Sequence, residues 1–475
     1  MTMKKAIILL CVAAGLMSCA KVVENLQNEG VPMSFNVTVL ETKATKTEWV
    51  NGDKIYVFFK DLATKYLILE YNGSSWTNSS GGGTLLDSDF IGLGTKTLTA
   101  VHFPVAVDVA YADGRFSFTS GGKPVFNYYL FEAGKDYTVD GTTVNATLSM
   151  GKPAGVVLIH VAGIQGSVGD YTFGCSKMKP VACASVGTDG AITENVLQAG
   201  ARLSGVADSD GGIFAGRLVF PDESKDYKFT VASDDNIYTL TRSGRTLTAG
   251  KMYNFPALSE TGVGNWSVLN VVDLYVDMGA AGKWAKCNVG AASETDYGDY
   301  FAWGETIGYN EGKTEFSWST YAWGTDSALT KYCSLSSKGE EGFTDALTTL
   351  LPEDDAAFAA LGGKFRMPTE AEWTALRDNT KYDWTWTYNY DEGTEIRGIT
   401  VTSKSDDSKS IFLPAAGNRA GTTLIAAGNI GYYWSSSLNA DYPPYVEVLI
   451  FNSLAPNIND SYRRYGHSVR PVYSE

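Results

Sequence analysis

Basic residues are scarce. The 475-residue chain carries 38 Lys and Arg against 53 Asp and Glu, a formal net charge of −15. Nucleic acid and anionic lipid surfaces are held by basic patches, so neither is an expected electrostatic partner. Histidine is scarcer still. His102, His160 and His467 lie far apart, and none of the six cysteines stands in a Cys-x-x-Cys pair. Zinc sites need such clusters, so no metal and no other cofactor is expected. No Gly-x-Ser-x-Gly elbow and no Walker loop occurs. Gly92-Leu93-Gly94-Thr95-Lys96 is a lone glycine pattern with no helix after it, and reads as a turn. Carboxylates abound, but nothing places two of them across a cleft, as a glycosidase requires. The chain therefore reads as a non-enzyme. Long apolar runs are absent beyond the first twenty residues, too, so no later segment is expected to span a bilayer.

What the chain has is glycine and aromatics: 50 Gly, 27 Tyr and 11 Trp. With few charges, that is the composition of a β-rich extracytoplasmic protein. Met1 to Ser18 reads as a secretory signal, with Lys4 and Lys5 ahead of an apolar run from Ala6 to Leu16. Leu16-Met17-Ser18-Cys19 resembles a bacterial lipobox, which implies cleavage before Cys19 and a lipid anchor on its thiol; the alternative is an ordinary signal peptide. Four cysteines then remain. Cys175 and Cys183 could close a small hairpin, and Cys287 and Cys333 could pair.

From Met33 to about Tyr253 the pattern is all β. Ser34 to Leu40 alternates at period two, as does Thr142 to Leu148. Lys54 to Phe59 is another strand, Tyr66 to Tyr71 runs into an Asn72-Gly73 turn, and Gly155 to Val161 is a continuous apolar run suited to a central strand. The expected fold is mainly β: two N-terminal β-sandwiches, residues 19–150 and 151–258, a linker at 259–267, and an α+β domain at 268–475. Eight of the tryptophans, from Trp284 to Trp434, fall in that last part.

The clearest local signal is Phe365-Arg366-Met367-Pro368-Thr369-Glu370-Ala371-Glu372-Trp373-Thr374-Ala375-Leu376. Pro368 bars helix before it. Thr369 and Glu372 form a capping box, and Trp373 and Leu376 share one face that should be buried.

This corner resembles one shared by the formylglycine-generating-enzyme superfamily and C-type-lectin-like domains. With Lys283 to Ala291, Asp296 to Thr306, Thr330 to Cys333, Ile411 to Gly417, Gly431 to Ser436 and His467 to Val472, it makes residues 270–475 similar to a major-paralogous-type module of C-type-lectin-like fold, appended to surface lipoproteins of gut anaerobes. The oxidase of that superfamily needs a late cysteine pair. No cysteine follows Cys333, so that activity is rejected. Thr45 to Phe58 and Leu247 to Tyr253 resemble the opening and closing strands of fimbrillin-type, or type V pilus, lipoproteins. That resemblance implies processing after a basic residue near the first strand, and strand addition between pilus subunits. Lys43 and Lys46 stand at the matching place, where Arg is more usual.

Ligand candidates are aromatic. Trp384, Trp386, Tyr388 and Tyr390 alternate with polar residues, which puts four rings on one strand face, for stacking on sugars or for the core. Tyr432, Tyr433, Trp434 and the Tyr442-Pro443-Pro444-Tyr445 loop are similar cases, and Arg419 is a candidate for binding hydroxyls. Asp296, Asp299 and Glu305, or Asn457, Asn459 and Asp460, are oxygen-rich, but the calcium-lectin signatures are absent. The expected function is a surface adhesin, a pilus-tip subunit whose last domain binds a glycan or protein ligand on a host or bacterial surface. The alternative is an unpolymerised outer-membrane lipoprotein that binds glycans for nutrient uptake. The expected location is accordingly the outer membrane, through the N-terminal lipid, or the fimbrium tip.

Overall fold

The computed structural model describes residues 31–39, 49–79, 81–103, 106–120, 123–124, 130–151, 156–175, 177–196, 202–208, 210–219, 225–247, 251–258, 266–390 and 395–474. The protein is mainly β, with many sheets. It divides into two compact units: Met1–Pro153 with Ala182–Asn195, and Ala154–Val181 with Val196–Glu475.

In the first unit the Lys54–Phe59 strand is central. It pairs antiparallel with Leu67–Tyr71 on one side and Thr97–His102 on the other. Side chains alternate across a strand. Ile55, Val57 and Phe59 therefore join one core, and Tyr56 and Phe58 another. A strand buried on both faces reads as an unbroken apolar run, which is what Ile-Tyr-Val-Phe-Phe is. The first core is closed from the opposite side by a three-stranded sheet. There Ser34–Val39 runs parallel to Thr143–Leu148, which also pairs with Thr138–Asp140. Phe35, Val37 and Val39 face this core, while Ser34, Asn36 and Thr38 face solvent.

In the second unit Val156–Ala162 lies between Gly211–Val219 and Met252–Phe255, the interior position its apolar run suggests. The C-terminal part adds a four-stranded sheet, in the order Tyr275–Asp277, Lys283–Ala285, Val472–Tyr473, Phe365–Arg366. Two three-stranded sheets follow: Tyr382–Thr387, Gly398–Ser403 and Asp406–Pro414, then Gly431–Leu438, Tyr445–Phe451 and Pro456–Tyr462. Residues between Lys286 and Asp355 are mostly irregular, and are held by buried side chains. Arg470, fully buried, donates to Asn288 Oδ1 and to the carbonyls of Ala285, Lys286 and Phe412.

The Pro368 corner forms as its sequence dictates. Thr369 Oγ1 accepts from Glu372 N at 3.2 Å, and Glu372 Oε2 accepts from Thr369 N at 2.8 Å. Arg366 grips the same carboxylate with two N–H groups, at 2.8 and 2.6 Å. The Glu370–Leu376 helix then buries Trp373 and Leu376. Gly362, just upstream, takes φ +68°, and a Cβ there would lie 2.4 Å from the Ala232 side chain. Thr369→Ala removes the cap oxygen and should lower the stability of the second unit by about 1 kcal/mol, read from urea unfolding.

Of the cysteine pairings, Cys287–Cys333 does not form. Both are free, and the Cys333 thiol donates to the Leu335 carbonyl at 3.2 Å instead. Cys175 ends the Thr172–Cys175 strand of the second unit, while Cys183 packs with Phe116 and Val186 in the first. The cleavage and lipid site at Cys19, the processing candidates Lys43 and Lys46, and most of the linker lie outside the described residues.

Candidate functional site

Two features of the fold stand out: an aromatic surface in the C-terminal part of the second unit and a strand edge in the first unit. The aromatic surface begins at Tyr442-Pro443-Pro444-Tyr445. Two prolines fix the turn. Tyr445 then opens the Tyr445–Phe451 strand, directly opposite Tyr462 on its neighbour. Opposed residues on antiparallel strands bring their side chains together. The two rings are 4.2 Å apart between centroids. Tyr442 lies 5.3 Å from Tyr445, and Tyr465 lies 6.0 Å from Tyr462. The result is a run of four tyrosines, half-buried except for Tyr442, which is exposed. Sharing a hydrogen bond with Tyr462 pushes the Tyr445 hydroxyl up to about 12, so it stays neutral.

Two consecutive arginines frame the run in opposite ways. Arg463 is fully buried. It donates to Tyr321 Oη at 2.7 Å, to the Tyr332 and Pro443 carbonyls at 3.0 Å, and to the Lys331 carbonyl at 2.8 Å. One guanidinium thus fastens three separate loops beneath the tyrosines. Arg464 turns outward, its Cζ 4.2 Å from the Tyr465 ring centroid and 5.4 Å from that of Tyr462. At the other end Lys338 Nζ sits 4.5 Å from the Tyr442 ring centroid and donates to its hydroxyl at 2.9 Å.

Two residues further along the hairpin, Glu447 opposes Asp460. Partial burial, then the Asp460 charge and then that of Glu370, push Glu447 up to about 7. A raised carboxyl pKa means the fold prefers the neutral form. That contribution is complete below the usual Glu value and is lost as pH rises through about 7. The second unit should therefore melt at a lower temperature at pH 8 than at pH 5.5, and Glu447→Gln should flatten that slope. An unchanged slope in Glu447→Gln would remove Glu447 as its source.

The seven aromatic and arginine candidates fall in three places. Trp384 and Trp386 pack against the core formed by Trp284, Trp373 and Phe451. Trp384 Nε1 donates to the Leu376 carbonyl at 2.9 Å, while Trp386 Nε1 is buried without a partner. Of that strand face only Tyr388 is well exposed, at 61%. Tyr390 instead lies 4.0 Å from the Phe412 ring.

The second place surrounds His467. Tyr432 stacks on its ring at 5.2 Å, and Arg419 is hydrogen-bonded through its backbone to Gly466. The Arg419 guanidinium lies 3.3 Å from the Tyr309 ring centroid. Burial pushes His467 down to about 3, so it is neutral. Trp434, in contrast, is fully buried and donates to the Phe301 carbonyl at 2.7 Å. It is core and presents no ring to a ligand, because Phe301, Trp303, Met367 and the His467 ring pack around it.

Tyr445 is the third, and the only one of the seven in the tyrosine run. Its companions Tyr462, Tyr465, Arg464 and Lys338 escaped the sequence reading. The signal was there: Tyr462-Arg463-Arg464-Tyr465 is an aromatic and basic cluster in an acidic chain. The calcium candidates are otherwise engaged. Asp299 accepts from Tyr300 N and Asn310 N, and Glu305 pairs with Lys313 at 2.6 Å.

The strand edge is Ser34–Val39. Its sole strand partner among the described residues is Thr143–Leu148, so it forms the outer edge of its sheet. The Val472–Tyr473 strand lies inside its sheet, between Lys283–Ala285 and Phe365–Arg366.

No family profile matches this sequence, and no curated protein is similar to it at a significant level. Among solved structures, the chain is similar to a fimbrial protein from Bacteroides ovatus ATCC 8483, at 12% identity over 94% of this chain and 99% of that one, with a TM-score of 0.23. It is also similar to the fimbrial anchor protein Mfa2 from Porphyromonas gingivalis, at 12% identity over 42% of this chain and 78% of that one, with a TM-score of 0.20.

Proposed function

We propose that the protein is a surface adhesin that ends a pilus, accepting a strand from the next subunit and presenting its C-terminal domain outward. One observation carries the reading, the contrast between its outer strands. Ser34–Val39 is an edge strand whose alternate side chains, Phe35, Val37 and Val39, plug the core of the first unit. A cut after Lys43 or Lys46 would release it and leave Thr143–Leu148 open along its whole length. An incoming strand would satisfy that ladder with backbone hydrogen bonds and fill the same apolar positions, which makes acceptance tight. Met252–Phe255 and Val472–Tyr473, by comparison, are both paired within their own sheets. Neither is available to lend, and a subunit that accepts without lending stops a polymer.

Immunogold labelling of the C-terminal domain on intact cells tests this. Gold confined to filament ends is the expected result. Gold spread evenly over the outer membrane, with the full-length chain still lipidated at Cys19, would overturn it in favour of an unpolymerised glycan-binding lipoprotein.

A further inference from the structure

We infer that the tyrosine run binds an acidic oligosaccharide, a chain of pyranoses bearing carboxylates. The inference rests on the adhesin reading and names its ligand class. Charge is the starting point. In this acidic chain, cations of the same domain are taken up by carboxylates: Lys313 by Glu305, Lys331 by Asp354, and Arg366 by Glu372. Among the described residues, Arg464 and Lys338 have no such ion pair, a lack they share with Arg377, Arg397 and Arg419. Asp326 acts on Lys338 only from a distance. Each cation lies instead against an aromatic ring, Arg464 on Tyr465 and Lys338 on Tyr442.

Arginine offers five donors in a planar fork. Here Arg464 Nη2 donates to Tyr465 Oη at 3.0 Å and Nε is buried without an acceptor, which leaves the outer edge of the fork, at Nη1 and Nη2, to meet a ligand. A fork with unused donors beside a tyrosine ring suits a pyranose whose C–H face lies on the ring and whose carboxylate meets the guanidinium. The second cation extends the match. Between Lys338 and Arg464 run the rings of Tyr442, Tyr445 and Tyr462, spaced 5.3 and 4.2 Å apart. A cation at each end of an aromatic track fits several sugars with acid groups spaced along them. A neutral chain leaves both cations without counter-charge. Asp460, further along the same hairpin, accepts hydrogen bonds from hydroxyls and repels acid groups. It orients the ligand with its carboxylates toward Arg464 and Lys338.

The test applies the full chain to three sets of oligosaccharides: carboxylated (uronic and sialic acids), sulfated, and neutral chains of matched length. Affinities are measured by titration calorimetry at low and physiological salt. The expected result is binding of the carboxylated set, weaker at higher salt, with a loss of about tenfold or more in Arg464→Ala and in Lys338→Ala. Arg464→Lys should recover little, because a point charge does not reproduce the fork. Lys338 lies at the surface, so Lys338→Ala keeps the comparison valid should Arg464→Ala fold poorly; near-ultraviolet circular dichroism checks both. Equal or better binding of the neutral or the sulfated set overturns the inference, as does unchanged affinity in both alanine variants. Each of these leaves the adhesin reading standing, since that reading falls only on the labelling result. Binding to no set overturns the inference as well.

Discussion

Trp373→Ala is expected to destabilise the second unit by about 3–5 kcal/mol, measured as a shift in its urea unfolding midpoint at constant slope. The indole is fully buried. Its ring lies 4.4 Å from that of Trp284 and 6.1 Å from that of Tyr433, so deletion opens a cavity between two large rings that cannot close over it. Its Nε1 also donates to the Trp434 carbonyl at 3.1 Å, which loses that donor. Trp373→Phe separates the two effects. It keeps most of the packing and forfeits the hydrogen bond, so its cost should fall to about 1–2 kcal/mol. An unchanged midpoint in Trp373→Ala would refute the buried-helix account of the corner.

Arg463→Ala should cost about as much, roughly 3–5 kcal/mol, for a different reason. No cavity argument is needed. The guanidinium satisfies the carbonyls of Lys331, Tyr332 and Pro443 and the hydroxyl of Tyr321 at a site without water access. Removing it leaves several buried polar groups unpaired together, each worth about 1–3 kcal/mol before the loops relax. Relaxation is the informative part. The loops so released carry Tyr442 and Tyr445 on one side and Lys331 and Tyr332 on the other. Arg463→Ala should therefore weaken binding of the acidic oligosaccharide proposed above as well as stability, although Arg463 faces away from the tyrosine run. Arg463→Lys keeps the charge and reaches fewer of the four acceptors, so it should recover only part of the loss. A midpoint shift below about 1 kcal/mol in Arg463→Ala would show that the loops hold without their common pin.

The corner was legible because capping is local. Thr369, Glu372 and Pro368 determine it within five residues, whatever surrounds them. The Lys54–Phe59 strand was legible for a similar reason, since its composition records burial on both faces. The fate of Trp384 and Trp386 was not. Alternation sets their rings on one face, but what covers that face arrives from elsewhere, here from the Glu370–Leu376 helix whose last carbonyl receives Trp384 Nε1. Trp434 misled in the same way. Its neighbours in sequence suggest an aromatic surface, and the sheet buries it. Tyr445 and Tyr462 meet only because the hairpin register opposes them, and no local pattern around Tyr445 encodes that distance. Cys287 and Cys333 share a region of sequence, yet the irregular segment between them is held by Arg463, Asp299 and Asp345, which leave the thiols apart.

The sheet that joins Lys283–Ala285 to Val472–Tyr473 also sets an order of events. Trp284 is paired with Val472, so two strands 188 positions apart in the second unit meet in one ladder. Contacts this distant in sequence form late, because the chain entropy of closing the intervening loop must be overcome first. A chain synthesised N-terminus first presents Lys283–Ala285 long before its partner exists. Until then Trp284, destined for the core, is exposed beside an unpaired edge, a combination that invites aggregation. This part of the chain therefore depends on being kept apart from its neighbours while it is made, and its collapse waits on its most distant strand.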